Sequence, residues 1–521
     1  MDDKAADVRF GQPAKTENRI VIKANLVYDK TMKRGSGILL SISSLPGRFG
    51  IGTLGAGARE FVDRLRMSGQ SYWQILPISP TGFGDSPYQA FSTFAGNPYF
   101  IDFDDLHRED LLPKDALDLC ENFFGRDPCA VDYHAQYIGK TKILHLAYQY
   151  SLSRLWDELE EFKQQHAGWI QDYALYMVIK SNQEMKSFHQ WPEELRTRRK
   201  DALKKAARPL ESEMDYHIFV QYLFFRQWHA LRKYANDRGV RIIGDMPIYM
   251  APDGADAWTD QDILDKGGRV AGCPPDYFSA TGQLWGNPLY DWEALKKTGY
   301  EWWIKRIAHH ISFFDFLRID HFRAFEAYYA IPADADNAID GQWIPGPGMD
   351  FFRAIKNELG ELPLIAEDLG YLTPAVFELL AETGFPGLKV LHFAFTPDGG
   401  SIYLPHRYER NCVVYTGTHD NDTTVGWFGE LGGAERKFLN DYSGGVDERG
   451  VHWQLIRLAM SSVADVCIIP MQDVLGLPSS ARMNRPQTAQ GNWRWRLGPG
   501  QYDDATAQRL AYKTWLYGRS S

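Results

Sequence analysis

No apolar run in this 521-residue chain approaches the ~18–20 residues a membrane span requires, which excludes a helical membrane protein. The nearest imitation of a secretory signal is Met32-Lys33-Arg34 followed by GSGILLSIS. It is internal, interrupted by polar residues and without a small-residue cleavage site, so it reads as a strand. Cysteine is scarce: Cys120, Cys129, Cys273, Cys412 and Cys467 are odd in number and widely spaced. That spacing offers neither a disulfide framework nor a thiolate zinc site, and it points to a reducing compartment, the cytoplasm. Positive charge is short too, with 57 Lys and Arg against 67 Asp and Glu. A net charge of −10 repels polyanions and argues against nucleic acid as a partner. No GxSxG and no phosphate-loop sequence occurs.

Four sharper-looking signals also fall away. GIGTLG at 50–55 matches the dinucleotide pattern, but no strand runs straight into it and no acidic residue stands ~20 positions on. The acidic run 334–341 has alanine at a calcium-ligand position and Pro347 where a glutamate is needed, so it reads as a solvated loop. His309 and His310 are adjacent rather than four apart, and the basic blocks 196–200 and 204–208 read as solvated helix faces.

What the chain has is apolar and aromatic mass: 44% hydrophobic and 14% aromatic residues, enough for a large core and for platforms that stack on a flat neutral ligand. The length suits roughly three to four average domains or one large barrel with insertions. Eight short apolar runs recur, at 37–43, 71–78, 241–248, 313–322, 362–370, 387–395, 411–420 and 466–474. Most are continuous rather than alternating, as in strands covered on both faces of a parallel sheet. Helix-like segments at 56–69, 301–311, 349–359, 373–384 and 451–464 lie between them, several closed by glycine. Eight strands alternating with helices predict an α/β fold, a (β/α)₈ TIM barrel; a doubly wound sheet is the rival. Residues 36–104 and 236–521 make the barrel, 105–235 read as a mainly helical insertion, and 1–35 form a polar leader arm without a legible role.

In a parallel barrel the carboxyl ends of the strands converge on one rim. Here those ends are charged: Asp245; Arg318, Asp320 and His321; Glu367 and Asp368; His419 and Asp420; Gln472 and Asp473. A single such end reads as a structural ion pair, whereas five with one habit read as a site. Arg318 and Asp320 share a strand face, and the guanidinium favours the ionised carboxylate that a nucleophile needs. Glu367, among other carboxylates, is placed to hold its proton and act as an acid.

At these positions the sequence resembles a known family. GDMPIY at 244–249, LRIDHFR at 317–323, IAEDLG at 365–370 and GTHDN at 417–421 are similar to the signature regions of the amylomaltase, or disproportionating enzyme, family. So are WQILPISPT at 73–81, DSPY at 85–88 and the long stretch 273–292. These are 4-α-glucanotransferases (glycoside hydrolase family 77) of the α-amylase superfamily, and the likeness runs from about residue 37 to near the C-terminus. It implies Asp320 as nucleophile, Glu367 as general acid/base and Asp420 as a group that binds sugar hydroxyls. Arg318, His419 and Asp245 would line the subsite of cleavage, with Tyr88 positioned there and His321 beside them. Trp285, with Tyr277, Phe278, Gly282 and Gly286, fits a lid that holds an acceptor and excludes water. Asn492, in GNWRW at 491–495, is a further substrate-binding candidate. The Asn-His pair that accompanies calcium in ordinary α-amylases is missing after Asp245, and two carboxylates need no metal or organic cofactor.

The resemblance implies transfer of α-1,4-glucan segments to another glucan, to maltooligosaccharides or to glucose, with retention of configuration. A plain α-glucan hydrolase and a glucan-binding protein without turnover stay open as rivals. The sequence leaves a monomer or a homodimer open.

Overall fold

The computed structural model describes residues 32–125, 127–275, 279–445, 450–486, 488 and 490–520. The leader arm expected at 1–35 therefore lies almost wholly outside the described residues, as do Tyr277 and Phe278.

Eight parallel strands form the barrel: β1 (Gly35–Leu39), β2 (Tyr72–Gln74), β3 (Arg241–Met246), β6 (Phe316–Ile319), β9 (Leu364–Ala366), β10 (Gly387–Val390), β11 (Cys412–Tyr415) and β12 (Val466–Pro470). Each falls within, or within two residues of, one of the eight expected runs. Their order is β10-β11-β12-β1-β2-β3-β6-β9, and the Ala366 N–H donating to the Pro386 carbonyl at 3.0 Å brings β9 to the start of β10. The strands read as continuous apolar runs because both faces are covered. Leu39, Ile243, Phe316, Ile365, Leu388, Val413 and Ile468 fill one packed layer. Their neighbours Ile38, Ile242, Leu317, Leu364, Val414 and Cys467 belong to a second, larger core that includes the helices.

Local signals explain the helix ends. The helix Pro374–Thr383 starts with a proline in its first turn and ends at Gly384 in the left-handed region at its C-cap. The glycine pattern at 50–55 precedes the helix Ala56–Met67, but Gly55 serves close packing: a Cβ there would lie 2.0 Å from Asp102 Oδ2. That carboxylate also accepts from Thr53 Oγ1 at 2.6 Å and the Asp105 N–H at 2.9 Å. The place near a helix N-terminus where a phosphate would sit is thus taken by a side chain of the protein itself.

Between β2 and β3 the chain is helical, including Tyr133–Ser151, Trp156–Gln165, Ile170–Asn182 and the long helix Glu211–Asp237. That last helix packs on Ile170–Asn182 and also on Ala56–Met67 and β3, so a boundary at 235 falls inside one element.

One feature went unread in the sequence. The stretch 273–292 contains a strand, and a second sheet stands beside the barrel. It is antiparallel, in the order β5-β4-β7-β8, from β4 (Arg269–Cys273), β5 (Gln283–Pro288), β7 (Ala327–Pro332) and β8 (Gln342–Pro345). Its strands carry Gly272, Gly286, Pro288, Pro332 and Pro345, and a register shift interrupts β4 against β5. Such strands lack the alternation by which a sheet is recognised. The acidic run 334–341 is the connection between β7 and β8.

Candidate active site

Register builds the site. Ile243 pairs with Phe316 and Asp245 with Arg318, so both charged residues follow an inward apolar residue by two positions and point the same way. Gly244 faces outward, where a Cβ would meet the Phe314 ring at 2.2 Å. Arg318 also pairs with Ile365, which puts Glu367, two positions on, beside the end of β6. The Glu367 N–H donates to the Ile319 carbonyl at 3.0 Å, and its carbonyl accepts from the Phe322 N–H at 3.0 Å. Glu367 and Asp320 therefore end adjacent, hydrogen-bonded strands.

The carboxylates sit in contrasting surroundings. Arg318 Nη1 donates to both oxygens of Asp245 at 2.6 and 2.7 Å, and its Nη2 lies 3.0 Å from Asp320 Oδ1. Glu367 Oε2 accepts the His321 N–H at 2.6 Å and Oε1 the Leu369 N–H at 2.9 Å. His321 reaches this position through the left-handed region, φ 53°. Burial pushes the Glu367 carboxyl up to about 8, opposed by Arg318 and reinforced by Asp320. Burial pushes Asp320 less far, to about 6, with Arg318 pulling back. The guanidinium favours the ionised form of Asp320, but desolvation outweighs it. At neutral pH the pair holds its proton on Glu367 and its charge on Asp320.

Beyond Arg318 a hydrogen-bonded chain continues. Tyr88 donates its hydroxyl hydrogen to Asp245 Oδ2 at 2.7 Å and lies 3.3 Å from His419 Nδ1. His419 Nε2 lies 3.3 Å from Asp420 Oδ2. Desolvation works to raise the Asp420 carboxyl, although its side chain is about half exposed, but His419 and Asn484 overcome it and hold it down at about 2. Tyr88 stacks on His419, ring centroids 5.0 Å apart, and Trp493 flanks both at 5.8 and 5.9 Å. On the opposite side the Trp285 ring, on β5, meets His321 edge-on at 4.8 Å.

Asp245, Arg318, Asp320, His321, Glu367, His419, Asp420, Tyr88 and Trp285 thus come to one rim. Asn492 is placed differently: its amide accepts from the Arg485 N–H at 3.0 Å and donates to the Thr488 carbonyl at 2.8 Å, bracing its own loop. Besides Trp493, that loop reaches the site through Asn484, whose Nδ2 donates to Asp420 Oδ1 at 2.6 Å. Nothing in the sequence singled it out; Trp493 was one position from Asn492. Two of the charged strand ends are structural. Asp368 accepts the Leu388 N–H at 2.5 Å. Asp473 accepts from Thr416, the Thr424 N–H and the Thr424 hydroxyl.

Arg318 carries a testable share of stability. It is buried between two carboxylates, so Arg318→Met leaves them uncompensated. The expected cost is about 3–5 kcal/mol, read as a lowered urea midpoint at unchanged slope.

A parallel barrel whose rim sets one buried and one partly exposed carboxyl group on adjacent strand ends, between aromatic flanks, has the architecture of an enzyme of glycosidic bonds. A family model described as 4-alpha-glucanotransferase matches residues 40–501. The 4-alpha-glucanotransferase of Synechocystis sp. is 49% identical over 499 residues, 94% of this chain and 98% of that one. The 4-alpha-glucanotransferase of Clostridium butyricum is 46% identical over 487 residues, 92% of this chain and 100% of that one. The amylomaltase from Streptococcus agalactiae, solved in complex with acarbose, matches with a TM-score of 0.91 at 40% identity, over 94% of this chain and 100% of that one. The chain belongs to the 4-alpha-glucanotransferase family and is an enzyme of that activity.

Proposed function

We propose that Asp320 attacks the anomeric carbon of an α-1,4-glucan while Glu367 gives its proton to the departing 4-oxygen. The glycosidic bond breaks, a glucosyl ester forms on Asp320, and Glu367 is left ionised. Glu367 then takes the proton of an acceptor's 4-hydroxyl, the new glycosidic bond forms, and Asp320 is released. Two inversions retain the configuration. The observation that carries this reading is the His321 N–H, next after Asp320, donating to the Glu367 carboxylate at 2.6 Å. It ties the proposed nucleophile's turn to the proposed acid.

Asp420, held ionised by His419 and Asn484, is suited to bind hydroxyls of the reacting sugar. Arg318, Asp245 and Tyr88 shape that subsite, and Trp285 with His321 flanks the acceptor and limits water. Glucose and maltooligosaccharides serve as acceptors. We place the enzyme in the cytoplasm, as a monomer or homodimer, with 105–235 as an inserted helical unit on a barrel of 36–104 and 236–521. The free thiols of Cys120, Cys129, Cys412 and Cys467 suit that compartment, and no helix among the described residues is long and apolar enough to cross a membrane.

Maltotriose alone tests the reading. Transfer yields glucose together with longer oligosaccharides at a constant number of reducing ends. A steady rise in reducing ends would assign the site to hydrolysis, and tight glucan binding without product would assign it to a protein without turnover.

A further inference from the structure

Two exposed aromatic rings at the rim have no part in the chemistry above. Trp343, on the edge strand β8, is 36% exposed, and Tyr371, four residues past Glu367, is 62% exposed. Their rings lie 6.2 Å apart and within 25° of parallel. Beneath Trp343 the guanidinium of Arg323 stacks at 3.6 Å from the ring centroid. Arg323 is 3% exposed, its Nη2 meets Glu326 at 3.2 Å, and its Nε and Nη1 have no hydrogen-bond partner. A buried cation kept against an aromatic face fixes that ring at some cost in hydrogen bonding. Such an arrangement has a use if the ring must stay in place while half in water.

The position of the pair is continuous with the cleft. Arg323 is two residues past His321, whose N–H holds Glu367 and whose ring meets Trp285. From Glu367 the chain reaches Tyr371 through Leu369, whose N–H holds the other carboxyl oxygen. Both rings are thus anchored to the proton donor's side of the rim. Asp245, His419 and Asp420 come instead from β3 and the turn after β11. The proton of Glu367 goes to the departing oxygen and returns from the acceptor's hydroxyl, so chain bound on this side is leaving group first and acceptor second. A pyranose offers an apolar C–H face with hydroxyls at its edge, the ligand that suits a ring exposed to water.

We propose that Trp343 and Tyr371 form a stacking platform for acceptor glucan chains, beyond the first acceptor sugar. The proposal rests on the transferase reading and adds a binding site to it. The platform favours chain acceptors over glucose, which is too short to reach it.

The test measures acceptor KM at fixed donor for glucose, maltose, maltotriose and maltopentaose in W343A, Y371A and the double variant. KM for the longer acceptors should rise roughly five- to tenfold per ring removed, while KM for glucose and the hydrolysis rate stay within about twofold. W343F should retain wild-type discrimination, which covers the case in which W343A is poorly folded. W515A is the control, since Tyr512 and Trp515 are a second exposed pair, on the helix Asp504–Leu516 that packs against the helix Ala56–Met67. An acceptor-length profile of the double variant that superimposes on wild type overturns the platform. So does an equal rise in KM for glucose and maltopentaose, or a W515A effect of the same size. Wild-type protein that makes no longer product from maltotriose overturns the transferase reading itself, before any variant is compared, and the platform with it.

Discussion

Glu367→Gln is expected to slow transfer from a natural glucan by ~10²–10⁴, or about 3–5 kcal/mol of barrier, because the departing 4-oxygen then leaves without a proton. The amide keeps the shape but cannot satisfy both backbone N–H groups that the carboxyl accepts, from His321 and Leu369. A stability loss of about 1–3 kcal/mol is therefore also expected, and rates must be compared on folded protein. A donor with an activated leaving group, α-glucosyl fluoride, separates the two effects. Fluoride departs without protonation, so the first step recovers in Glu367→Gln while a misfolded variant recovers nothing.

The pH dependence follows with a definite sign. Glu367 must carry a proton in the first step, and burial puts its pKa at about 8, so kcat/KM falls as pH rises through that region. Asp320 must be ionised, and its pKa is about 6, so kcat/KM also falls as pH drops through about 6. The two limbs belong to the pair rather than to either residue alone. With the fluoride donor the alkaline limb should vanish in Glu367→Gln. A limb that persists there would assign the proton to another group.

The same physics decides what was legible beforehand. All eight barrel strands could be found because burial on both faces writes them as apolar runs. Their ends could not: the run 313–322 contains only Phe316–Ile319 as strand. Phe313 ends a helix, with its ring against Phe225 at 4.8 Å, and Phe322 begins a 3-10 turn. An aromatic residue has the same hydropathy in either setting. The convergence of Asp245, Arg318, Asp320 and Glu367 was legible because strand period and barrel topology together dictate it. Which carboxylates do chemistry was not. Asp368 and Asp473 are also carboxylates just past strand ends, and what marks them as braces is that both are fully buried and satisfied from within the protein, by a backbone N–H for Asp368 and by threonine groups for Asp473. Asn484 was invisible for the converse reason, since one ordinary asparagine matters here only through a contact across 64 positions of chain. The second sheet, broken by glycine and proline, offered no period to read.

Asp320→Asn carries the largest expected loss, on the order of 10⁴–10⁶-fold, as when other covalent nucleophiles are removed. Arg318 keeps Asp245 as its buried partner in this variant, so the fold is expected to survive. The direct readout is the ester itself. In Glu367→Gln, α-glucosyl fluoride should load the enzyme, and the missing base should slow its release. Mass spectrometry should then find one glucosyl residue on the peptide containing Asp320. The double variant with Asp320→Asn should show none. A second consequence needs no turnover. Asp320 is among the groups that raise Glu367, so Asp320→Asn must lower the Glu367 midpoint, seen as an earlier carboxylate band in a pH-resolved infrared titration. An adduct on any other residue, or a Glu367 midpoint unmoved by the substitution, would separate the two carboxylates and end their assignment as one catalytic pair.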